Sequence, residues 1–421
     1  MLQRARDKRV LLLTIAAALL SMFTGAVMAK RLPFPGEAYE NLRIFTEVLS
    51  HIESNYVDET EPEKLIHGAI RGMLRTLDPH SSFMPPDVYR EMQVETEGRF
   101  GGLGIEITIR DDILTVVSPI EGTPAFRAGI QAADQIVKIE GESTKDITLI
   151  DAVKKLRGPE GSTVTISIFR KGFSEPKDFT LARAVIQIKS VRWKKLPDDI
   201  GYVKLRSFQK STSDELEEAL HDLEEQHIRA LVLDLRNNPG GLLEQAIAVS
   251  DEFLESGKLI VYTKGRLTGQ NMKGYSKNDK AHLDYPMVIL LNEGSASASE
   301  IVAGALQDLG RATIVGSQSF GKGSVQTIIP LSDGSGLRLT TAKYYTPKGQ
   351  EINGKGITPD IVVEEAKIPQ EKEEEGKQGA PRSRRQISMP GDDPAEDLQL
   401  QKAIDFLKVQ VQKGGKAVKA G

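Results

Sequence analysis

The chain has 421 residues, a formal net charge of −4 and no cysteine. That length holds two or three domains, the acidic balance argues against a nucleic-acid partner, and disulfides, thiol nucleophiles and thiolate metal sites are excluded outright. The one dense basic cluster, Arg382, Arg384 and Arg385, lies in a low-complexity stretch and reads as solvated linker.

In chain order, Arg4, Arg6, Lys8 and Arg9 precede the apolar run LLLTIAAALLSMFTGAVMA, which ends in the small residues Val27 and Ala29. A basic n-region, an apolar h-region and a V-x-A site predict export to the periplasm or cell envelope, with residues 1–29 as a signal peptide. The run is also about long enough to span a bilayer, so an uncleaved membrane anchor is the other outcome. A helical region over 38–96 follows, with Leu42, Phe45, Leu49 and Ile52, then Leu65, Ala69, Met73 and Leu77, at helical spacing. Two such helices cannot fold alone and are expected to pack on the rest of the chain or on a second subunit, which makes a homo-oligomer the expected state.

Residues 97–186 change to short alternating strands, with Ile105, Ile107 and Ile109 on one face and helical AFRAGI and LIDAVKKLR between strands, which predicts a small α+β module. Residues 190–364 alternate strands and helices, an α/β core whose strand C-termini gather their loops on one edge. Within it Thr212 and Glu215 read as a capping box for the helix TSDELEEALHDLEE. Residues 365–394 are a charged linker, and Leu400, Ile404, Leu407 and Val411 mark a last helix within 395–413.

Several chemistries are poorly supported. His51, His67, His80, His221, His227 and His282 show no ligand spacing, no metal site is expected, and there is no G-x-S-x-G elbow. The S-x-x-K pairs Ser207/Lys210 and Ser174/Lys177 lack a K-T-G partner. GSQSFGKGS, residues 316–324, nearly spells a phosphate loop, but Gly323 stands where the magnesium hydroxyl belongs and a strand pattern follows where a helix is required. A nucleotide hydrolase is therefore disfavoured.

The dense signal is NEGSASASE, residues 292–300, between the buried strand PMVILLN and an apolar helix. Ser295, Ser297 and Ser299 occupy a strand-to-helix turn where helix-start N–H groups are free to hold an oxyanion. Ser297 with Glu300 also reads as a capping box, the simpler account of the serine alone. Lys322 should emerge at the same edge from the loop after the next strand. As a general base it must be neutral, and Gln326, an even offset away on a strand, can hydrogen-bond the amine without recharging it. The NNPGG turn, residues 237–241, ends another parallel strand and could supply a second oxyanion donor or simply make a tight turn.

FGGLGIEI, LRGPEGS, DLRNNPGGLL, NEGSASASEIVAGAL and SFGKGSVQ, in this order, resemble the carboxy-terminal processing, or tail-specific, proteases, a Ser/Lys peptidase family. The resemblance covers roughly residues 38–365 and implies a crotonase- or ClpP-like protease core, multidomain α/β and α+β, with an inserted PDZ domain and flanking helices. It implies Ser297 as nucleophile, Lys322, 25 residues on, as base, and Gln326 as its positioner. Oxyanion donors would be Ala298 with Gly240 or Gly241. Asp308, a third member in some relatives, would lie about 16 Å of helical rise from Ser297, which speaks against a direct role. The PDZ resemblance assigns Gly102, Leu103, Gly104 and Ile105 to a loop holding a peptide C-terminus. The Gly-Asp turn usual in such modules is Ala133-Asp134 here, and alanine is strained there if that position needs φ > 0.

The expected activity is thus endoproteolysis through an acyl-enzyme, with no cofactor. Candidate partners are protein or peptide substrates with apolar C-termini and an adaptor protein. The alternative is a catalytically silent PDZ scaffold of the cell envelope.

Overall fold

The computed structural model describes residues 36–278, 282, 284–364 and 397–414. The leader 1–29 and the 365–394 linker with its arginine cluster lie outside them. The chain forms two compact units that divide between Leu77 and Asp78.

The first unit contains α1 (Gly36–Asn55) and α2 (Pro62–Arg75). Pro62 opens α2, where its missing N–H costs nothing. Leu42, Ile44, Phe45 and Val48 of α1 and Ile66 and Met73 of α2 are exposed. No described helix is long and apolar enough to cross a membrane.

The second unit begins with β1 (Ser82–Met84), α3 (Pro86–Glu97) and β2 (Arg99–Gly102). An α+β module follows: β3 (Ile105–Arg110), β4 (Ile113–Pro119), α4 (Pro124–Arg127), β5 (Gln135–Ile139), β6 (Glu142–Ser143), α5 (Leu149–Leu156), β7 (Thr163–Phe169), β8 (Lys177–Ala182) and β9 (Ala184–Gln187). The sheet runs β3-β4-β5-β7-β8, so β3 is an edge strand, while β2 pairs with β9 where the chain enters and leaves. Leu103, Val116, Ile136 and Ile166 are in its core. The expected Ile105/Ile107/Ile109 face holds only in part: Ile105 and Ile107 pack against the core, whereas Ile109, near the end of the strand, is exposed. Ala133 has φ 69°, the left-handed conformation suspected from the sequence.

The remaining elements are β10 (Val191–Leu196), β11 (Ile200–Leu205), α6 (Thr212–Glu225), β12 (Ala230–Asp234), α7 (Leu243–Asp251), β13 (Leu259–Gly265), β14 (Lys273–Tyr275), β15 (Met287–Leu291), α8 (Ala298–Asp308), β16 (Thr313–Gly316), β17 (Ser324–Pro330), β18 (Gly336–Tyr345), β19 (Ile361–Val362) and α9 (Leu398–Gln412). Among the described residues the central sheet runs β10-β11-β12-β15-β16-β19, parallel except for β10. Its inner strands β12, β15 and β16 are apolar almost to their ends because both faces are covered, whereas the antiparallel edge strand β10 reads VRWKKL. Leu231, Leu233, Ile289 and Leu291 face the layer of α6, α7 and α8. Val232, Val288 and Leu290 face the Leu400/Ala403/Ile404/Leu407 stripe of α9.

Thr212 and Glu215 do not form a capping box. The residue before α6 is Ser211, without a side-chain cap. Glu215 is buried and instead accepts the N–H groups of Ser190 and Val191 at 2.8 and 3.1 Å, fastening α6 to β10. Tertiary demand for those orphan donors outweighs the local motif.

Candidate active site

Parallel β12, β15 and β16 place their C-terminal turns on one edge of the sheet, which brings together the 235–242, 292–297 and 317–323 segments. Asn238 fastens the first two. Its carbonyl accepts the Ala296 N–H at 3.0 Å and Ser299 Oγ at 2.9 Å, and its Oδ1 accepts the Gly240 N–H at 2.9 Å. Asn292 adds a second link, accepting the Asn237 N–H at 2.8 Å.

The three serines are not equivalent. Ser295 Oγ donates to the Leu235 carbonyl and Ser299 Oγ to that of Asn238, both at 2.9 Å. Ser297 Oγ donates no hydrogen bond among the described residues, and its backbone has φ 56° and ψ −112°, a region that non-glycine residues avoid. Glu300 supplies its half of a capping box, accepting the Ser297 N–H on Oε2 at 2.8 Å, while the Glu300 N–H donates to the Ser297 backbone carbonyl at 2.9 Å.

Glu300 does more than cap. Fully buried, it also accepts Ser319 Oγ and the Gly321 N–H on Oε1, each at 2.6 Å, and the Lys322 N–H on Oε2 at 2.9 Å. Burial raises its pKa, and these donors pull the other way. The carboxylate therefore holds the serine turn and the lysine loop to one point. Capping chemistry at position N3 was legible. The burial was not, although a helix with few polar positions on any face signals it.

Lys322 is half-buried, and its Nζ has no hydrogen-bond or ion-pair partner among the described residues. Burial lowers its pKa, Arg338 lowers it further, and Glu300 opposes both. Lys322 lies in the loop two residues before β17 begins, whereas Gln326 lies within that strand. Its Nε2 donates to Ser324, at 3.1 Å to the carbonyl and 2.6 Å to Oγ. Asp308 lies at the far end of α8 from Ser297, accepting the Lys348 N–H at 2.9 Å.

Gly240 packs on the serine. A Cβ there would fall 2.8 Å from Ser297 Cβ and 2.9 Å from the Ala298 nitrogen. The Gly240 N–H is spent on Asn238, whereas Ala298, the first residue of α8, and Gly241 have N–H groups without an acceptor among the described residues.

In the α+β module, the Leu103 carbonyl accepts the Ala125 N–H at 3.0 Å, and that of Gly104 accepts the Ile120 N–H at 2.8 Å and Thr123 Oγ1 at 3.1 Å. The N–H groups of Leu103 and Gly104 have no acceptor among the described residues. Gly104 has φ 75°, and a Cβ there would meet Thr123 at 2.3 Å. Gly102 ends β2 and Ile105 opens β3, the edge strand. No cluster of His, Asp or Glu suited to a metal occurs among the described residues.

Residues 199–363 match the model of peptidase family S41, residues 115–170 that of the PDZ domain, and residues 26–88 that of the activating protease CtpB N-terminal domain. The fold and these matches define a multidomain α/β peptidase carrying a PDZ domain. The chain is 43% identical over 405 residues to a carboxy-terminal-processing protease of Bartonella bacilliformis, covering 91% of this chain and 93% of that one. It is 40% identical over 347 residues to a carboxyl-terminal-processing protease of Synechocystis sp., covering 80% and 76%. Among solved structures it resembles the photosystem II D1 C-terminal processing protease at 30% identity and TM-score 0.44, covering 76% and 92%. The chain belongs to the S41 family of carboxy-terminal processing proteases.

Proposed function

We propose that this chain is an exported serine endopeptidase that recognises substrate C-termini through its PDZ domain and cleaves with a Ser297/Lys322 dyad. The observation that carries the reading is the shared anchor of the two residues on Glu300, combined with a Ser297 hydroxyl that donates no hydrogen bond among the described residues. Neutral Lys322 takes the proton from Ser297 Oγ as Oγ bonds to the scissile carbonyl carbon, and the N–H groups of Ala298 and Gly241 hold the oxyanion. Collapse breaks the C–N bond, Lys322 returns the proton to the leaving amine, and water then releases the acyl group from Ser297 with the lysine again as base. Gln326 serves the lysine through Oε1, since Nε2 is held by Ser324.

Substrate capture uses the free N–H groups of Leu103 and Gly104 for a terminal carboxylate and the open edge of β3 for an added strand, with Gly102 and Ile105 framing the loop. The domain limits proposed are 38–96, 97–186, 190–364 and 395–413, behind a leader or anchor at 1–29 and joined by a linker at 365–394. Self-association through the exposed faces of α1 and α2, an adaptor partner and residence in the periplasm or cell envelope belong to the same reading.

The test is cleavage of an unfolded protein with an apolar C-terminus, in chelator and without nucleotide, by the chain lacking residues 1–29 beside Ser297→Ala and Lys322→Ala. The reading expects cleavage by the parent alone. Equal behaviour of all three would leave the silent scaffold as the better account.

A further inference from the structure

Behind the site lies a buried charge cluster that the proposed chemistry does not use. Asp234, at the end of β12, accepts Tyr202 Oη at 2.7 Å, Lys204 Nζ at 3.0 Å and Arg236 Nη2 at 2.7 Å. Arg236 is also gripped from the opposite side. Its Nη1 and Nη2 donate to Asp397 Oδ1 and Oδ2, both at 2.8 Å, and Nη1 reaches Gln399 Oε1 at 3.2 Å. Asp397 is the N-cap of α9, accepting the Leu400 N–H at 3.0 Å. Two cations thus face two carboxylates, Lys204, Arg236 and Asp234 supplied by the core and Asp397 by the C-terminal helix. Removing the Asp397 charge leaves a surplus cation in a buried setting.

Arg236 is continuous with the oxyanion turn. Its carbonyl accepts Lys204 Nζ at 2.6 Å and its N–H reaches Asp234 Oδ1 at 2.9 Å. The next two residues, Asn237 and Asn238, make the links to Asn292, Ala296 and Ser299 that hold the serine turn.

We infer that Asp397 is a positioning residue for the peptidase site, acting through Arg236 to set the 235–241 turn, so that docking of α9 completes the oxyanion side of the site. This rests on the dyad reading above for its catalytic consequence. The packing consequence stands apart from it, because the order of the turn can be measured without any turnover.

The test compares the full chain with Asp397→Asn, which keeps a capping oxygen for α9 but drops the charge, with Asp397→Ser, which caps but is too short for Arg236, and with Asp397→Glu. Peptide hydrolysis gives kcat and KM, and amide hydrogen exchange follows residues 235–241. For Asp397→Asn and Asp397→Ser we expect kcat to fall at least about tenfold with KM within about twofold, and exchange across 235–241 to accelerate about tenfold while β3–β8 is unchanged. Asp397→Glu should recover part of both. Unchanged exchange at the turn in folded Asp397→Asn or Asp397→Ser overturns the inference, as does a fall in kcat no larger than the fraction of protein unfolded. If the parent proves inactive yet the turn loosens in these variants, the positioning link stands and the dyad reading fails.

Discussion

Ser297 and Lys322 donate their backbone N–H groups to the same oxygen, Glu300 Oε2, at 2.8 and 2.9 Å. One buried carboxylate therefore sets the relative placement of the proposed nucleophile and base. Glu300→Gln exchanges one accepting oxygen for an NH2 group facing hydrogen-bond donors, and each unsatisfied buried group costs about 1–3 kcal/mol. Urea unfolding should show that loss, and peptide hydrolysis should fall about 10²-fold as the turns shift.

Ser297 is held at φ 56° and ψ −112°, which glycine adopts without strain and alanine does not. Ser297→Gly and Ser297→Ala should both be inactive. Thermal unfolding should find the glycine variant the more stable by about 1–2 kcal/mol.

Burial lowers the Lys322 pKa, with Arg338 adding to the effect. The neutral amine is the base, so kcat/KM should climb with pH and level off once Lys322 has lost its proton, at a pH below the free-lysine value. The sign for stability follows. Since the unfolded chain binds this proton more tightly, Lys322 makes stability rise with pH between its folded and unfolded pKa values. Arg338→Met removes a neighbouring cation and should move the rising limb to higher pH, by a modest amount because the lysine is partly solvated. A limb that stays in place or moves to lower pH in this variant contradicts the assignment.

Ala133 sits at φ 69° in the PDZ domain. Ala133→Gly should stabilise that domain by about 1 kcal/mol. Hydrogen exchange of β4 and β5 is the measurement, with slower exchange expected in the variant.

Where the pattern was dense, the sequence was legible. NEGSASASE, NNPGG and SFGKGSVQ each follow a buried parallel strand, and strand polarity alone brought them to one edge. The stripe Leu400, Ile404 and Leu407 was read as a helix and covers the back of the sheet. What escaped the sequence was long-range. Glu300 and Glu215 are the third and fourth residues of their helices, where a local motif suffices to explain a glutamate, yet both are buried and bind backbone from distant turns. Lys322 lies just before β17, so a period of two carried from it to Gln326 starts outside the strand, and what Gln326 meets along the strand is Ser324, two residues back. The Arg236–Asp397 pair spans 161 positions, and no spacing rule reaches so far.

If Ser297 is a nucleophile activated by Lys322, a serine-directed electrophile should capture it covalently. The full-length protein would be treated with a serine-directed fluorophosphonate over a range of pH, and the adduct located by mass spectrometry of its peptides. The account predicts one adduct, on Ser297, forming faster as pH rises and abolished in a folded Lys322→Ala variant. An undiminished adduct in Lys322→Ala, or peptide cleavage continuing in Ser297→Ala, would contradict it.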